Sequence, residues 1–303
     1  MRYFLQSIRP RTLLLSCSAV MAGAFLAQGD GFFSWYTFLL LIFTACLLQI
    51  LSNLVNEIGD WRKGTDKEQQ SRRPLSLQSN SLSEGKFINF IKIVALLSAI
   101  SGLTLIRVAL GSYFRTDALF FLFWGMISMV AAVFYSAGKK PYGYYGMGDL
   151  AVFLFFGPVS VIGSYYLMSQ LLDVKVLLIS GVMGLLCTAV LNVNNIRDFE
   201  NDKKYGKKTL AVVISQLGKK EGNTTPAKRY QYILIGVALL LSIIFIMKTD
   251  FCWYLFLPSL PFFVVHLIMV RLYHGRTLDK ALLFLILGVG FYALSFVFDS
   301  LLF

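Results

Sequence analysis

An all-α membrane protein of nine transmembrane helices, built as two parallel four-helix pseudo-repeats plus a ninth helix, is the fold this sequence predicts. Three observations carry it. Of the 303 residues, 57% are hydrophobic and only 15% charged, with a mean hydropathy of +0.67, whereas a soluble domain is nearer half apolar and a quarter charged. The apolar residues fall in blocks of about 17–25, the length that crosses roughly 30 Å of hydrocarbon. A polar motif also recurs at a fixed offset, with matching apolar blocks around it.

The blocks predict helices over residues 13–27, 35–55, 87–110, 118–136, 150–170, 174–193, 230–247, 252–270 and 281–302. The breaks between them carry turn formers: Gly29-Asp30-Gly31, the glycine-rich stretch 138–148 and the polar stretch 222–226. The first block reads as a span, because hydrophobic segments continue to the C-terminus and no small-residue cleavage site follows it. The chain therefore reads as one integral membrane unit, 1–303, with pseudo-repeats of about 1–140 and 141–280.

Charge placement orients these spans. The N-terminus and every second connection hold most of the 28 Lys and Arg residues. The opposite side carries only Arg107, Arg115, Lys175 and Lys248. By the positive-inside rule the N-terminus is cytoplasmic and the C-terminus outside. The net charge of +12 is then a topology signal toward a lipid bilayer, and no nucleic-acid partner is required. Four cysteines without CxxC spacing and two histidines without a ligand cluster read as structural, so no zinc or redox site is expected.

The recurring motif carries the chemistry. Its first copy runs Asn53-Leu-Val-Asn56-Glu57-Ile-Gly-Asp60-Trp-Arg62-Lys63-Gly64, its second Asn195-Ile-Arg197-Asp198-Phe-Glu200-Asn-Asp202-Lys203-Lys204-Tyr-Gly206-Lys207. A shift of 142 residues lays Asn53 on Asn195, Asn56 on Asp198, Asp60 on Asp202 and Gly64 on Gly206. Positions i, i+3 and i+7 lie within an arc of about 60° on a helix. Each motif is thus expected on one face of its helix, at the cytoplasmic edge. A lone acid at a membrane surface is usually a solvated loop charge. Two sets on equivalent faces are costly to keep and point to function. Their oxygen-only donors, Asn56, Asp60, Asp198 and Asp202, suit Mg²⁺. Arg62, Lys63, Arg72, Arg73, Arg197, Lys203 and Lys207 supply donors fit for a diphosphate. Tyr142, Tyr144 and Tyr145 read first as interfacial belt tyrosines.

At these residues the sequence resembles the UbiA superfamily of intramembrane prenyltransferases, and within it the branch acting on 1,4-dihydroxy-2-naphthoate in menaquinone biosynthesis. The likeness spans the chain. It rests on Arg9-Pro10-Arg11-Thr12, the first motif with Lys63-Gly64-Thr65-Asp66, Arg72-Arg73-Pro74-Leu75, and Tyr135-Ser136. It continues through Lys140-Pro141-Tyr142-Gly143-Tyr144, Gly148-Asp149, the Phe153–Val159 run, Tyr165-Tyr166 and the second motif through Leu210. The sequence departs from the family at Glu57, where Asp is usual, and at Ser18-Ala19-Val20, where Pro is usual.

The resemblance implies a bacterial inner-membrane enzyme that binds a polyprenyl diphosphate through two Mg²⁺ ions on Asn56/Asp60 and Asp198/Asp202. It implies substrate contacts from Asn53, Lys63, Arg72, Arg73, Lys140, Asn195, Arg197, Lys203 and Lys207, and a catalytic Tyr135 whose aromatic face shelters an allylic carbocation. Relatives acting on 4-hydroxybenzoate, homogentisate or haem are the alternatives. A cation-coupled transporter would instead place paired acids near the bilayer midplane in broken helices.

Overall fold

The computed structural model describes residues 2–66, 69, 72, 74–216 and 223–302. Among them, nine helices are long and apolar enough to cross a membrane. They are α1 (Pro10–Gly29), α2 (Trp35–Arg62), α3 (Glu84–Leu110), α4 (Thr116–Phe134), α5 (Gly148–Ser169), α6 (Val174–Arg197), α7 (Thr225–Lys248), α8 (Trp253–Leu272) and α9 (Gly275–Leu302). All nine expected spans are present. A short helix, Arg2–Ile8, precedes α1 and is separated from it by Arg9 in the left-handed region at φ 53°.

Burial ranks the helices. In α6, 72% of the apolar window is buried inside the protein, against 6% in α4. The first is therefore the axis of the bundle, and the second turns its leucines and phenylalanines outward. α6 packs on α5, α7, α9 and α1, while α2 packs on α1, α3 and α4. The pairings α1–α2–α3 and α5–α6–α7 thus correspond. α9 lies along α1 and α8, fixing the last helix against the first. Near its C-terminal end is an aromatic stack in which Phe256 lies 4.5 Å from Phe251 and 4.6 Å from Tyr292.

Small residues set the closest approaches, as expected where lipid is as apolar as leucine and backbones must meet to gain packing. A Cβ on Gly157 would stand 2.5 Å from the Ser180 carbonyl oxygen, and one on Gly59 would stand 2.6 Å from Ser136 Cβ. Gly157 lies in a segment, Phe155–Ile162, where α5 widens into π-helical turns around Pro158. Sequence alone reads that span as plain α-helix. Proline lacks the N–H that an α-ladder needs, and the wider turn accommodates the loss.

One chain of paired buried polar groups links α6, α7, α8 and α9. The Ala281 carbonyl only accepts, so His266 donates from Nδ1 at 2.8 Å, and its Nε2 accepts from Gln231 at 2.9 Å. Gln231 Oε1 in turn accepts from Asn192 at 2.8 Å. His266 is therefore a satisfied core histidine. Cys17 Sγ lies 3.5 Å from Cys46 Sγ across α1 and α2, both as free thiols. Sequence spacing shows no such neighbour. At the end away from the motifs, Asp30 accepts from Tyr165 at 2.6 Å and Lys175 at 2.5 Å, tying the α1–α2 turn to α5 and α6.

Candidate active site

The site grows from two helix ends. Asn53, Asn56 and Asp60 all lie on α2, which continues without a break to Arg62. The second motif does not stay on one helix. α6 stops at Arg197, Asp198 caps it at φ −94° and ψ 8°, and Asp202 sits on a separate short helix, Phe199–Lys204. The shared face expected for Asn195, Asp198 and Asp202 is therefore replaced by a corner. The helix does not run on past Asp198, and the bend carries Asp202 inward, where it is 4% exposed.

Beyond the corner, the two motifs fold alike. Gly64 and Gly206 both take the left-handed conformation, at φ 78° and 68°. In each copy the residue after the glycine donates back to the motif aspartate's carbonyl: Thr65 to Asp60 at 3.0 Å, Lys207 to Asp202 at 2.8 Å. A side chain at either glycine would strain this turn. The two motif turns thus share one backbone form. Asn201 bridges the copies by donating to the Thr65 carbonyl at 3.0 Å.

Asp60 is the meeting point. Its Oδ1 accepts from the Tyr144 hydroxyl at 2.6 Å, and its Oδ2 from Lys207 Nζ at 3.3 Å. Since Tyr144 spends its proton on Asp60, Thr65 Oγ1 donates to the Tyr144 oxygen at 2.9 Å. Lys63 and Lys207 stand 4.1 Å and 5.0 Å from the Tyr144 ring centroid, a cation–π distance. Tyr144 is buried, whereas Tyr145 is exposed. Tyr144 is therefore a site residue, and the belt reading is corrected there. The signal lay in the Lys-Pro-Tyr-Gly-Tyr stretch; composition could not show which tyrosine turns inward.

Electrostatics follow the geometry. Burial pushes the Asp202 carboxyl up to about 7; Lys207 opposes the shift, and Asp198 and Asp60 add to it. Burial alone would pull the Lys207 ammonium down, but Asp60 and Asp202 outweigh it and hold the proton more tightly than in water. Lys63 is lowered, by burial first, with Asp60 opposing and Lys207 adding. Tyr135 is pushed up to about 12 by burial, against Lys207. Its hydroxyl packs on Gly148 and its ring lies edge-on to Tyr142 at 5.3 Å.

Other expected residues take different places. Asn53 donates to the Ile8 carbonyl and to Thr12 Oγ1, both at 2.9 Å, and accepts from Gln49, so it anchors the entry into α1. Asn56 accepts from Ser136 Oγ. Arg72 pairs with buried Asp66 at 2.7 Å. Arg197 clasps both Asp198 oxygens at 2.9 and 2.8 Å and reaches Asp279 of α9 at 2.7 Å. Asn195 is buried beside this cluster on α6. Lys140 and Lys203 are exposed and make no ion pair to the motif acids among the described residues. Arg73 lies outside the described residues. Arg9, quoted in the sequence without a role, faces Arg72, Glu57, Asp60 and Asp66.

Among the described residues, no three His, Cys, Asp or Glu side chains converge tightly enough to hold an ion. Carboxylates repel one another, and each turns to the base nearest it: Asp60 to Lys207, Asp198 to Arg197, Asp66 to Arg72. The donor chemistry nonetheless fits a hard cation. Asn56, Asp60, Asp198 and Asp202 offer only oxygens, and an ion-paired carboxylate keeps lone pairs for a metal.

The helical membrane bundle thus gathers acids, lysines and a tyrosine at one end. The chain belongs to the UbiA prenyltransferase family, which matches residues 16–296. It is 38% identical over 263 residues to 1,4-dihydroxy-2-naphthoate octaprenyltransferase of Escherichia coli K12, covering 86% of this chain and 82% of that one. The Haemophilus influenzae protein described in the same words is 36% identical over 270 residues, covering 88% and 84%. The apo structure of a UbiA homolog from Aeropyrum pernix K1 superposes with a TM-score of 0.71 at 14% identity, over 95% of this chain and 98% of that one. A UbiA homolog from Archaeoglobus fulgidus bound to DMAPP and Mg²⁺ gives 0.62 at 13%, over 97% and 99%.

Proposed function

We propose that this chain transfers a polyprenyl group from polyprenyl diphosphate to 1,4-dihydroxy-2-naphthoate, releasing diphosphate and CO₂ and giving demethylmenaquinol. The observation that carries the reading is the paired Asp-to-glycine turn, with Lys207 of one copy on Asp60 of the other at 3.3 Å. The acceptor is supported by the activity named for the Escherichia coli and Haemophilus influenzae relatives.

Asn56, Asp60, Asp198 and Asp202 would hold Mg²⁺, one ion per motif, and the metal would neutralise charge on the departing diphosphate. Lys63, Lys207, Arg72 and Lys203 would meet the diphosphate oxygens, together with Arg73 as its place in the sequence suggests. Lys207 then exchanges an acid for a phosphate oxygen without losing its counter-charge. The Tyr135 ring shelters the developing allylic cation. Lys140, at the exposed start of the tyrosine stretch, meets the acceptor's carboxylate, while Arg197 holds Asp198 in place.

Three measurements test this. Given both acids and one prenyl diphosphate, membranes containing the protein yield a decarboxylated naphthoate product and nothing from 4-hydroxybenzoate. A product only from 4-hydroxybenzoate, carboxylate retained, replaces the acceptor and keeps the prenyl transfer. Excess chelator silences the enzyme and Mg²⁺ restores it, because an all-oxygen site beside a diphosphate selects that ion; full activity after verified metal removal rejects the metal role. In a cysteine-free background, single cysteines beside Gly64, Gly143, Gly206 and Gly275 are labelled from the cytoplasm, and ones beside Gly31 and Asp250 from outside. Reversed labelling at either motif loop overturns the orientation.

A further inference from the structure

Asp149 opens α5 and has no part in the reaction as described. It is 6% exposed, and its Oδ1 accepts no hydrogen bond. A carboxylate in a helix's first turn gains from the helix dipole, but it does so equally from solvent. Enclosing it with one oxygen unpaired carries a desolvation cost that a merely structural acid does not need.

Three elements enclose this acid. Thr188 of α6 donates to the Asp149 carbonyl at 3.3 Å. The Tyr230 hydroxyl from α7 lies close to its carboxylate. The Tyr135 hydroxyl, beyond the end of α4, packs so closely on Gly148 that a Cβ there would lie 2.9 Å from it. Tyr135 thus lies within electrostatic reach of Asp149 as well as of Lys207, Asp60 and Asp202. An aromatic ring lying against Tyr135 would be near both the charges of the motif residues and the buried Asp149 carboxylate.

We propose that Asp149, with Tyr230 beside it, forms the subsite for the acceptor's phenolic hydroxyl and takes the hydroxyl proton as the ring attacks. This rests on the aromatic-acceptor reading above. As the O–H bond breaks toward Asp149, its electron pair becomes the C=O of a ring ketone. The ring carbon bonds to the prenyl carbon, and the prenyl C–O bond breaks with its pair leaving on diphosphate. Loss of CO₂ then returns electrons to the ring, and the ketone oxygen recovers the proton from Asp149. Protons and electrons balance with no further reagent.

The test compares the parent protein with Asp149→Asn, using 1,4-dihydroxy-2-naphthoate and a ring-fluorinated analogue whose hydroxyl is ionised at the assay pH. On the ordinary acceptor, D149N lowers kcat about 10²–10⁴-fold, with KM for the prenyl diphosphate unchanged. On the ionised analogue most of that loss disappears, because the proton has already gone; a structural defect would depress both rates alike. Equal losses on the two acceptors, or a D149N rate equal to the parent's, overturn the proposal. If D149N does not accumulate folded, Tyr230→Phe decides: a kcat loss confined to the ordinary acceptor supports the subsite, and parental rates on both sink it. A parent protein that prenylates neither acid defeats the acceptor reading and this proposal with it. An active parent with an indifferent D149N defeats this proposal alone.

Discussion

Asp60→Asn lowers kcat by about 10²–10³-fold, the scale of losing one fixed electrostatic partner of a transition state, and leaves the protein folded. The substitution keeps the shape and removes the charge. Tyr144 still finds an oxygen acceptor at position 60, so the 2.6 Å bond survives as a neutral contact. What is lost is the anion that faces Lys207 at 3.3 Å and that an incoming cation needs. Asp202→Asn behaves alike, because this carboxylate is 4% exposed and shares Lys207 with Asp60. Rates of the purified variants at saturating prenyl diphosphate, set beside their thermal unfolding, check both halves of the expectation. Activity near the parent's in either variant, with the fold intact, removes that residue from the site.

The parts of this site that sequence reveals are those whose geometry is local. Asn53, Asn56 and Asp60 share a face because α2 runs unbroken through them, and periodicity reads that directly. The second copy has the same spacing, yet Asp198 breaks the helix. The break leaves the residue spacing unchanged, so spacing alone does not register it. Tyr144 was hidden for another reason. A tyrosine at a membrane edge is ordinary, and only the fold of the 3₁₀ turn Tyr142–Tyr145 sends this one inward to Asp60 while Tyr145 faces out. Contacts between distant helices, such as Cys17 with Cys46 or Arg197 with Asp279, depend on which helices pack together. No window of sequence contains that information. Lys140, at the start of the tyrosine stretch, is exposed.

Arg197→Ala destabilises the protein before it impairs substrate binding. In the structure the guanidinium is spent: two of its nitrogens hold Asp198 and a third reaches Asp279, with the arginine side chain only 10% exposed. Removing it takes the arginine partner from two partly buried carboxylates at the joint of α6 and α9. Breaking a fully buried pair costs about 3–5 kcal/mol. Asp279 is 31% exposed and regains water, so roughly 2–3 kcal/mol is expected here. Arg197→Lys recovers only part of this loss, since an ammonium is a point charge and cannot fork onto both Asp198 oxygens. If Arg197 instead served mainly as a diphosphate ligand, R197A would raise KM for the prenyl diphosphate and leave thermal unfolding unchanged. Asp279→Asn separates the two roles further, because residue 279 carries none of the metal or diphosphate contacts proposed above. A lowered unfolding temperature in D279N, with kcat falling in step as Asp198 loses its oriented partner, places Arg197 as the strut between α9 and the second motif. An unchanged unfolding temperature in both R197A and D279N removes the strut and returns Arg197 to the substrate.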